Sequence, residues 1–294
     1  VEKLSEPQKV YDCNIPEIHC FSANGIKAHN CLEIALHGYD EDGNSGFHLC
    51  NLSEINMKKC KTEADFYDGC KAASILGTLQ AGYTKFPYLG ETTEKIVRRE
   101  SLLGVSMTGM MDNPEIAFDA KIQRQGAKIV KAVNDKLSKI IDINPAARLC
   151  CVKPSGTASC LLSTSSGIHP HHAKRYIRRV QANKTEAPAI HFQKYNPFAV
   201  QQSVWKETDV VLNFICEVPD GYKYKNTLSA LEMLENVKTT QNNWVKYGTV
   251  AERCVYPWLQ HNVSNTCVVK DESEWKDVTN YIWRNRRHFT GISL

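Results

Sequence analysis

Four groups capable of nucleophilic or proton-transfer chemistry fall within the five residues His29-Asn30-Cys31-Leu32-Glu33. A cysteine is the most nucleophilic side chain at neutral pH, which makes Cys31 the natural acyl acceptor. His29 titrates near neutrality and can move protons at an adjacent carbonyl or amide. Asn30 sets a carboxamide beside the bond it shares with Cys31. Glu33 lies two residues past the thiol, and in an extended segment alternate side chains point the same way, so it can serve as general base there. A second thiol, Cys50, opens the run Cys50-Asn51-Leu52-Ser53-Glu54-Ile55-Asn56. Further on, Pro154-Ser155-Gly156-Thr157-Ala158-Ser159 follows a predicted strand and opens a short helix. Free N–H groups at such an end, a glycine and three hydroxyls suit a phosphate, although the same residues also describe a plain helix cap.

Other reactive-looking residues carry less. His169-Pro170-His171-His172 has metal-type side chains but no evident acidic or thiol partner, so no metal site is expected. Lys174, Arg175, Arg178 and Arg179 read as the solvated face of a strand. Met107, Met110 and Met111 read as core filler, and Cys60, Cys70, Cys216, Cys254 and Cys267 as small buried hydrophobes. Cys150, Cys151 and Cys160 flank the 154–159 loop and are expected to pack in the core.

The elements that must position these groups alternate between helix and strand. Residues 1–30 are short strand-like pieces broken at Pro16 and at Asn24-Gly25, a turn signal. A polar loop spans 38–46. Thr62 with Asp65 three residues on has the spacing of a capping box, and the helix it starts runs through Phe66, Cys70, Ala73 and Leu76. Asn113-Pro114 predicts a helix start, with Ile116, Ile122, Ile129, Val130, Val133, Leu137 and Ile140 on one face up to about Ile141. Further helices are predicted at 227–247 and 272–287. Leu149–Val152, Tyr176–Val180, Val210–Val218 and Thr266–Val269 read as buried strands, and the alternation predicts an α/β fold with a parallel sheet.

With 294 residues, 42% of them hydrophobic, the chain is long enough for one large domain or two ordinary ones. A net charge of +4 is too small to indicate nucleic-acid binding. There is no run of 18 apolar residues for a membrane span and no signal-peptide pattern at the start. Twelve cysteines without an export signal and without a Cys-x-x-Cys suggest reduced thiols and a cytoplasmic location rather than a disulfide framework or a structural zinc. The apolar end at Gly291-Ile292-Ser293-Leu294 reads as that of a fragment.

Two resemblances meet at the Asn30/Cys31 bond. Val10-Tyr11-Asp12, His19-Cys20-Phe21, Asn24-Gly25-Ile26 and His29-Asn30 resemble the C-terminal end of an intein. That resemblance implies a short all-β segment, residues 1–30, in which Asn30 cyclises to release the intein, His29 assists, Asp12 and His19 aid the branched intermediate, and Cys31 accepts the acyl group. His19-Cys20-Phe21 departs from the family's usual His-Asn-Phe, and the intein's N-terminal half is missing, as in a split intein or a truncated gene.

From Cys31 on, Cys31-Leu32-Glu33-Ile34, Cys50–Asn56, Lys153–Ser159, Gly167-Ile168-His169-Pro170, Tyr176-Ile177-Arg178-Arg179, His261–Thr266 and Phe289–Ser293 together resemble the adenosylcobalamin-dependent, class II ribonucleoside-triphosphate reductases. The resemblance implies that residues 31–294 form the second half of a ten-stranded α/β barrel with Cys31 on a central loop. It implies Cys31 as the radical thiol, Glu33 as the base for the 3′-hydroxyl, Cys50 as one of two reducing thiols, and 154–159 as the substrate phosphate loop. It also implies adenosylcobalamin as cofactor, a ribonucleoside triphosphate as substrate, a thioredoxin-like reductant and an N-terminal intein/reductase half as partners. The absence of a Tyr-Tyr pair sets the chain apart from the oxygen-dependent class. An alternative role is a self-processing split-intein fragment that carries an inactive reductase portion.

Overall fold

The structure, a computed structural model, describes residues 20–23, 26–29, 34 and 36–294. The strands are β1 (Cys20–Ala23), β2 (Ile26–His29), β3 (Asn51–Asn56), β4 (Leu103–Thr108), β5 (Arg175–Asn183), β6 (Val200–Gln202) and β7 (Asp209–Glu217). The helices are α1 (Glu63–Ala81), α2 (Gly90–Glu100), α3 (Pro114–Ala117), α4 (Ala120–Ile140), α5 (Gly156–Leu161), α6 (Ala187–Tyr195), α7 (Ala230–Thr240) and α8 (Trp275–Asn285). β1 and β2 pair antiparallel, Cys20 opposite His29.

A parallel layer organises the rest. β3 pairs parallel with β4 from Asn51↔Leu103 to Asn56↔Thr108. Parallel bridges Val105↔Cys150 and Val152↔Val263 extend the layer beyond β4, first by the segment at Cys150 and then by the segment at Val263. Helices cross between successive members, α1 and α2 after β3, α3 and α4 after β4, and α7 before Val263, as parallel pairing requires. The far edge of the last segment is closed by a side chain: Gln241 Nε2 donates to His261 O at 3.0 Å, and its Oε1 accepts from Val263 N at 3.1 Å.

α1 starts where its sequence predicts. Thr62 Oγ1 accepts from Asp65 N at 3.2 Å, and Asp65 Oδ2 accepts from Thr62 N at 2.8 Å, satisfying two end donors. Phe66, Cys70 and Ala73 are buried, but Leu76 is 61% exposed. α4 lies so close that a Cβ on Gly126 would stand 2.6 Å from Phe66 Cε1. Ser74 Oγ donates to Val130 O at 2.8 Å and Asn134 Nδ2 to Thr78 Oγ1 at 2.9 Å, so these buried polar groups between the helices are paired. Trp244, fully buried, donates Nε1 to Cys151 O at 3.0 Å beneath the layer.

Several sequence expectations are corrected. Pro114 opens only the single turn α3; the chain breaks at Phe118, and Asp119 then caps α4, accepting from Lys121 N at 2.7 Å. Of the expected apolar face of α4, Ile122 and Val130 are buried, but the rest of the buried face is small or polar (Gln123, Gly126, Ala127, Asn134, Ser138), and Ile140 is 69% exposed. The fourth parallel segment lies at Val263, before Thr266–Val269, which forms no strand. Tyr176–Val180 and Val210–Val218 belong to a separate antiparallel sheet, order β5-β7-β6, with Arg175↔Glu217 in register. β5 alternates half-buried and exposed residues, the pattern of a one-sided antiparallel strand.

Gly126→Val should lower stability by about 1–3 kcal/mol through overpacking against Phe66, read as a lower urea midpoint. Lys71→Ala, on the exposed side of α1, should stay within about 0.5 kcal/mol.

Candidate functional site

Strand alternation sorts β3 into two faces. Ser53 Oγ donates to Ala73 O of α1 at 3.2 Å, and buried Ile55 packs against Gly69 of the same helix. Cys50, Leu52 and Glu54 therefore face away from the helices. On β4 the neighbour is Gly104, where a Cβ would stand 2.4 Å from Leu52 Cδ2, 3.0 Å from Cys50 Sγ and 3.2 Å from Cys151 Sγ. Only a residue without a side chain fits among these groups. Next along β4, Ser106 Oγ accepts from Lys153 N at 3.1 Å.

Cys50 is half-exposed as a residue, yet its thiol is densely surrounded, with His261 Nε2 at 3.9 Å. Burial pushes the thiol well above its ordinary pKa, Cys151 adds to this, and the Arg148 guanidinium opposes it. Behind it lies a fully buried charged cluster. Arg148 Nη2 stands 3.5 Å from Glu100 Oε1, and His48 Nδ1 stands 3.6 Å from Glu100 Oε2. Burial, reinforced by Arg148, lowers the pKa of both His48 and His261 to about 3, so both imidazoles are neutral at pH 7.

At the other end of the face, Ser155 does not cap α5 with its side chain. Its hydroxyl instead donates to Glu54 Oε2 at 2.5 Å, and Lys153 Nζ lies 2.8 Å from Glu54 Oε1. Ser155 N donates to Ser166 Oγ at 2.8 Å, and Ser159 Oγ donates to Gly156 O at 2.7 Å. Gly156 adopts φ +48° with open space where a Cβ would stand. Pro154 precedes this turn, and Thr157 and Ala158 lie in the first turns of α5.

Sequence reasoning missed a second polar centre. Asp112 Oδ1 lies 2.6 Å from His171 Nε2, and His171 Nδ1 lies 3.0 Å from Tyr176 OH, which accepts from Arg178 Nη2 at 3.3 Å. His171 thus has the acidic partner that the sequence does not reveal, because Asp112 is 59 residues away. Burial opposes the Asp112 charge, but hydrogen bonds from His171 and Ser165 N outweigh it and hold the carboxyl below its ordinary range. Among the described residues no group of three or more His, Cys, Asp or Glu is arranged to hold a metal. His171, Tyr176, Arg178, Lys225 and Ser229 border a cavity of about 320 Å³. Lys174 pairs with Asp220, and Arg175 with Glu217 at 2.8 Å, as exposed ion pairs. Arg178 instead turns inward, 3.5 Å from Ser159 Oγ.

The structure thus brings Cys50 and the 154–159 loop to one face. Asp12, His19, Asn30, Cys31 and Glu33 lie outside the described residues, as does the side chain of His29, whose backbone belongs to β2. Met107, Met110 and Met111 are core, as are Cys150 and Cys151. Among the described residues no helix is long and apolar enough to cross a membrane.

No protein-family model matches the chain. A probable adenosylcobalamin-dependent ribonucleoside-triphosphate reductase of Dictyostelium discoideum is 25% identical over 243 residues, 80% of this chain and 30% of its own length. The adenosylcobalamin-dependent ribonucleoside-triphosphate reductase of Lactobacillus acidophilus is 26% identical over 276 residues, 81% of this chain and 34% of its own. The crystal structure of a B-12-dependent (class II) ribonucleotide reductase superposes with a TM-score of 0.61 at 20% identity, covering 84% of this chain and 36% of that one. The chain spans about a third of the length of these relatives, and the structural likeness is one of fold.

Both buried imidazoles have folded values below their ordinary 6.5. As the pH falls below that value the unfolded chain takes up protons first, so stability present at pH 7 is lost progressively toward pH 3. Each histidine should contribute about 1.4 kcal/mol per pH unit in that range. Urea unfolding at pH 7, 6 and 5 should show the decline, and His48→Gln should reduce its slope.

Proposed function

We propose that residues 31–294 are the second half of the catalytic barrel of an adenosylcobalamin-dependent ribonucleoside-triphosphate reductase, preceded in residues 1–30 by the C-terminal segment of an intein. The observation that carries this reading is the shared face: Cys50 leads β3, and Glu54, four residues along the same side, touches Ser155 of the 154–159 loop at 2.5 Å. Four strand residues span about 13 Å, a separation suited to a nucleotide with its ribose at the thiol and its phosphates at the loop. Relatives named for this activity at 25–26% identity support it.

In this reading Cys31 gives up its S–H hydrogen atom and the resulting thiyl takes the 3′-hydrogen of the ribose. Glu33 accepts the 3′-hydroxyl proton. The 2′-hydroxyl leaves as water, while Cys50 and a partner thiol in the N-terminal half supply two electrons and close to a disulfide. A thioredoxin-like dithiol restores the pair. Adenosylcobalamin supplies a carbon-centred radical when bound, and a thiol such as Cys31, whose S–H bond is weak, fits that chemistry. Before any of this, Asn30 cyclises with help from His29, Asp12 and His19 assist, and Cys31 receives the acyl group, so the intein must leave before the mature loop exists.

The phosphate loop has a cost built in, because Glu54 occupies the donors of Ser155 and Lys153. Glu54→Gln should tighten binding of inorganic tripolyphosphate to this chain about tenfold, near 1.4 kcal/mol, by calorimetry; unchanged or weaker binding argues against the loop as a phosphate site. Mixed with a matching N-terminal half, the chain should lose the mass of residues 1–30 and gain a peptide bond at Cys31. The ligated enzyme should make deoxynucleotides, and Cys31→Ser or Cys50→Ser should lower turnover by more than about a thousandfold. The chain alone should show almost no turnover.

A further inference from the structure

The cavity of about 320 Å³ beside β5 has a one-sided charge. His171, His172, Tyr176, Arg178 and Lys225 border it, and among the described residues no carboxylate does. Arg175, on the same strand, has Glu217 at 2.8 Å. Arg178 is half-buried and meets only neutral groups, at the long end of hydrogen-bonding distance. Its Nη1 lies 3.5 Å from Ser159 Oγ and 3.6 Å from Cys160 Sγ, its Nη2 lies 3.3 Å from Tyr176 OH, and both nitrogens lie 3.4 Å from Thr164 O. Lys225 is also half-buried and has no carboxylate partner among the described residues. Its backbone N donates to His171 O at 2.8 Å, which fixes it beside the histidine. A cation drawn out of water without a counter-charge is costly.

Asp112 answers only part of this charge. Its Oδ1 accepts from His171 Nε2 at 2.6 Å, and its Oδ2 accepts from Ser165 N at 2.7 Å. His171 Nδ1 then accepts from Tyr176 OH at 3.0 Å, and the phenol oxygen accepts from Arg178 Nη2. Even with His171 neutral, one negative charge faces two positive ones. Glu232, beyond the cavity, pairs with Lys223 and takes the Ser229 N–H, so this pair adds nothing to the balance. Leu228 and Met233, both buried, supply an apolar part of the wall.

We propose that this cavity binds a dianionic phosphate group between Arg178 and Lys225, carried by a small monoester or free in solution. Such a group has roughly two negative charges near neutral pH and three acceptor oxygens, which suit the surplus charge and the N–H donors of both side chains. The volume is at the small end for ligand sites, and Leu228 and Met233 offer a surface for an organic part. The cavity is separate from the Cys50 face. Ser166 and Arg178 connect its wall to the 154–159 turn at Ser155 N and Ser159 Oγ, whereas Cys50, Glu54 and Lys153 do not border it. Binding here does not depend on which reaction that face performs.

Site-resolved amine acylation of the whole 294-residue chain, read by peptide mass spectrometry with exposed Lys71 as reference, tests this with adenosine 5′-monophosphate, inorganic phosphate and adenosine as probes. At about ten times its Kd the monophosphate should slow Lys225 acylation about tenfold, by mass action. Stronger protection by the monophosphate than by phosphate identifies an ester site, equal protection a free-phosphate site, and either supports the proposal. Arg178→Gln should weaken the protecting ligand at least about tenfold, and Arg178→Lys should recover part of the loss. Ser155→Ala, in the 154–159 turn, should leave Lys225 protection intact. No protection by either phosphate, equal protection by adenosine, or protection lost in Ser155→Ala overturns the proposal. Should Arg178→Gln not fold, which labelling of buried Cys70 and Cys267 would reveal, Lys225→Met decides. Undiminished protection of Arg178 from phenylglyoxal in Lys225→Met overturns the proposal as well.

Discussion

The parallel alignment of β3 with β4 is the constraint on which the candidate site depends. Because side chains alternate along a strand, fixing Asn51 opposite Leu103 also decides that Cys50, Leu52 and Glu54 share a side with Gly104. A register shift of one residue would carry Cys50 to the helix face and bring its neighbour Asn51 into its place. The helices enforce the register from behind. Ile55 against Gly69 and Leu103 against Gly77 are contacts too close to tolerate a side chain on the glycine or a slip of the strand. Packing on the outside of the layer thus determines which chemistry is available on the inside.

What could be read in advance follows the range of the interactions. The capping box at Thr62, the buried methionines and the segment at Leu149–Val152 depend on neighbours close in sequence, and they stand where expected. The break between α3 and α4 was not legible, because Asp119 offers a better cap than Asn113 and only the geometry of the following turn reveals it. The polar face of α4 was missed for a different reason. Gly126, Asn134 and Ser138 look like a solvated surface until α1 is laid against them. At the site, Cys50 and Ser155 were visible through their motifs, whereas Glu54, Asp112 and Arg148 acquire partners only through contacts 48 to 101 residues apart. The residues that carry the first-read chemistry, Asn30, Cys31 and Glu33, lie outside the described residues.

The two buried polar regions are built differently. Between α1 and α4, Ser74, Thr78 and Asn134 are neutral groups with bonds of 2.8 to 2.9 Å, a satisfied network that locks two helices together. Behind Cys50 the groups are charged and the separations longer, 3.5 to 3.8 Å, a looser arrangement in which charge rather than geometry dominates. The first arrangement supports rigidity. The second leaves a field that acts on both Cys50 and Cys254.

The amide of Gln241 imitates a strand, offering one donor and one acceptor to His261 and Val263 where a neighbouring backbone would otherwise dock. Among the described residues β3, at the opposite margin, pairs with β4 alone. Lateral growth of this sheet is therefore directional. A further strand would meet a blocked margin on one flank and ladder positions beside Cys50 on the other, so it would widen the face that carries the thiol.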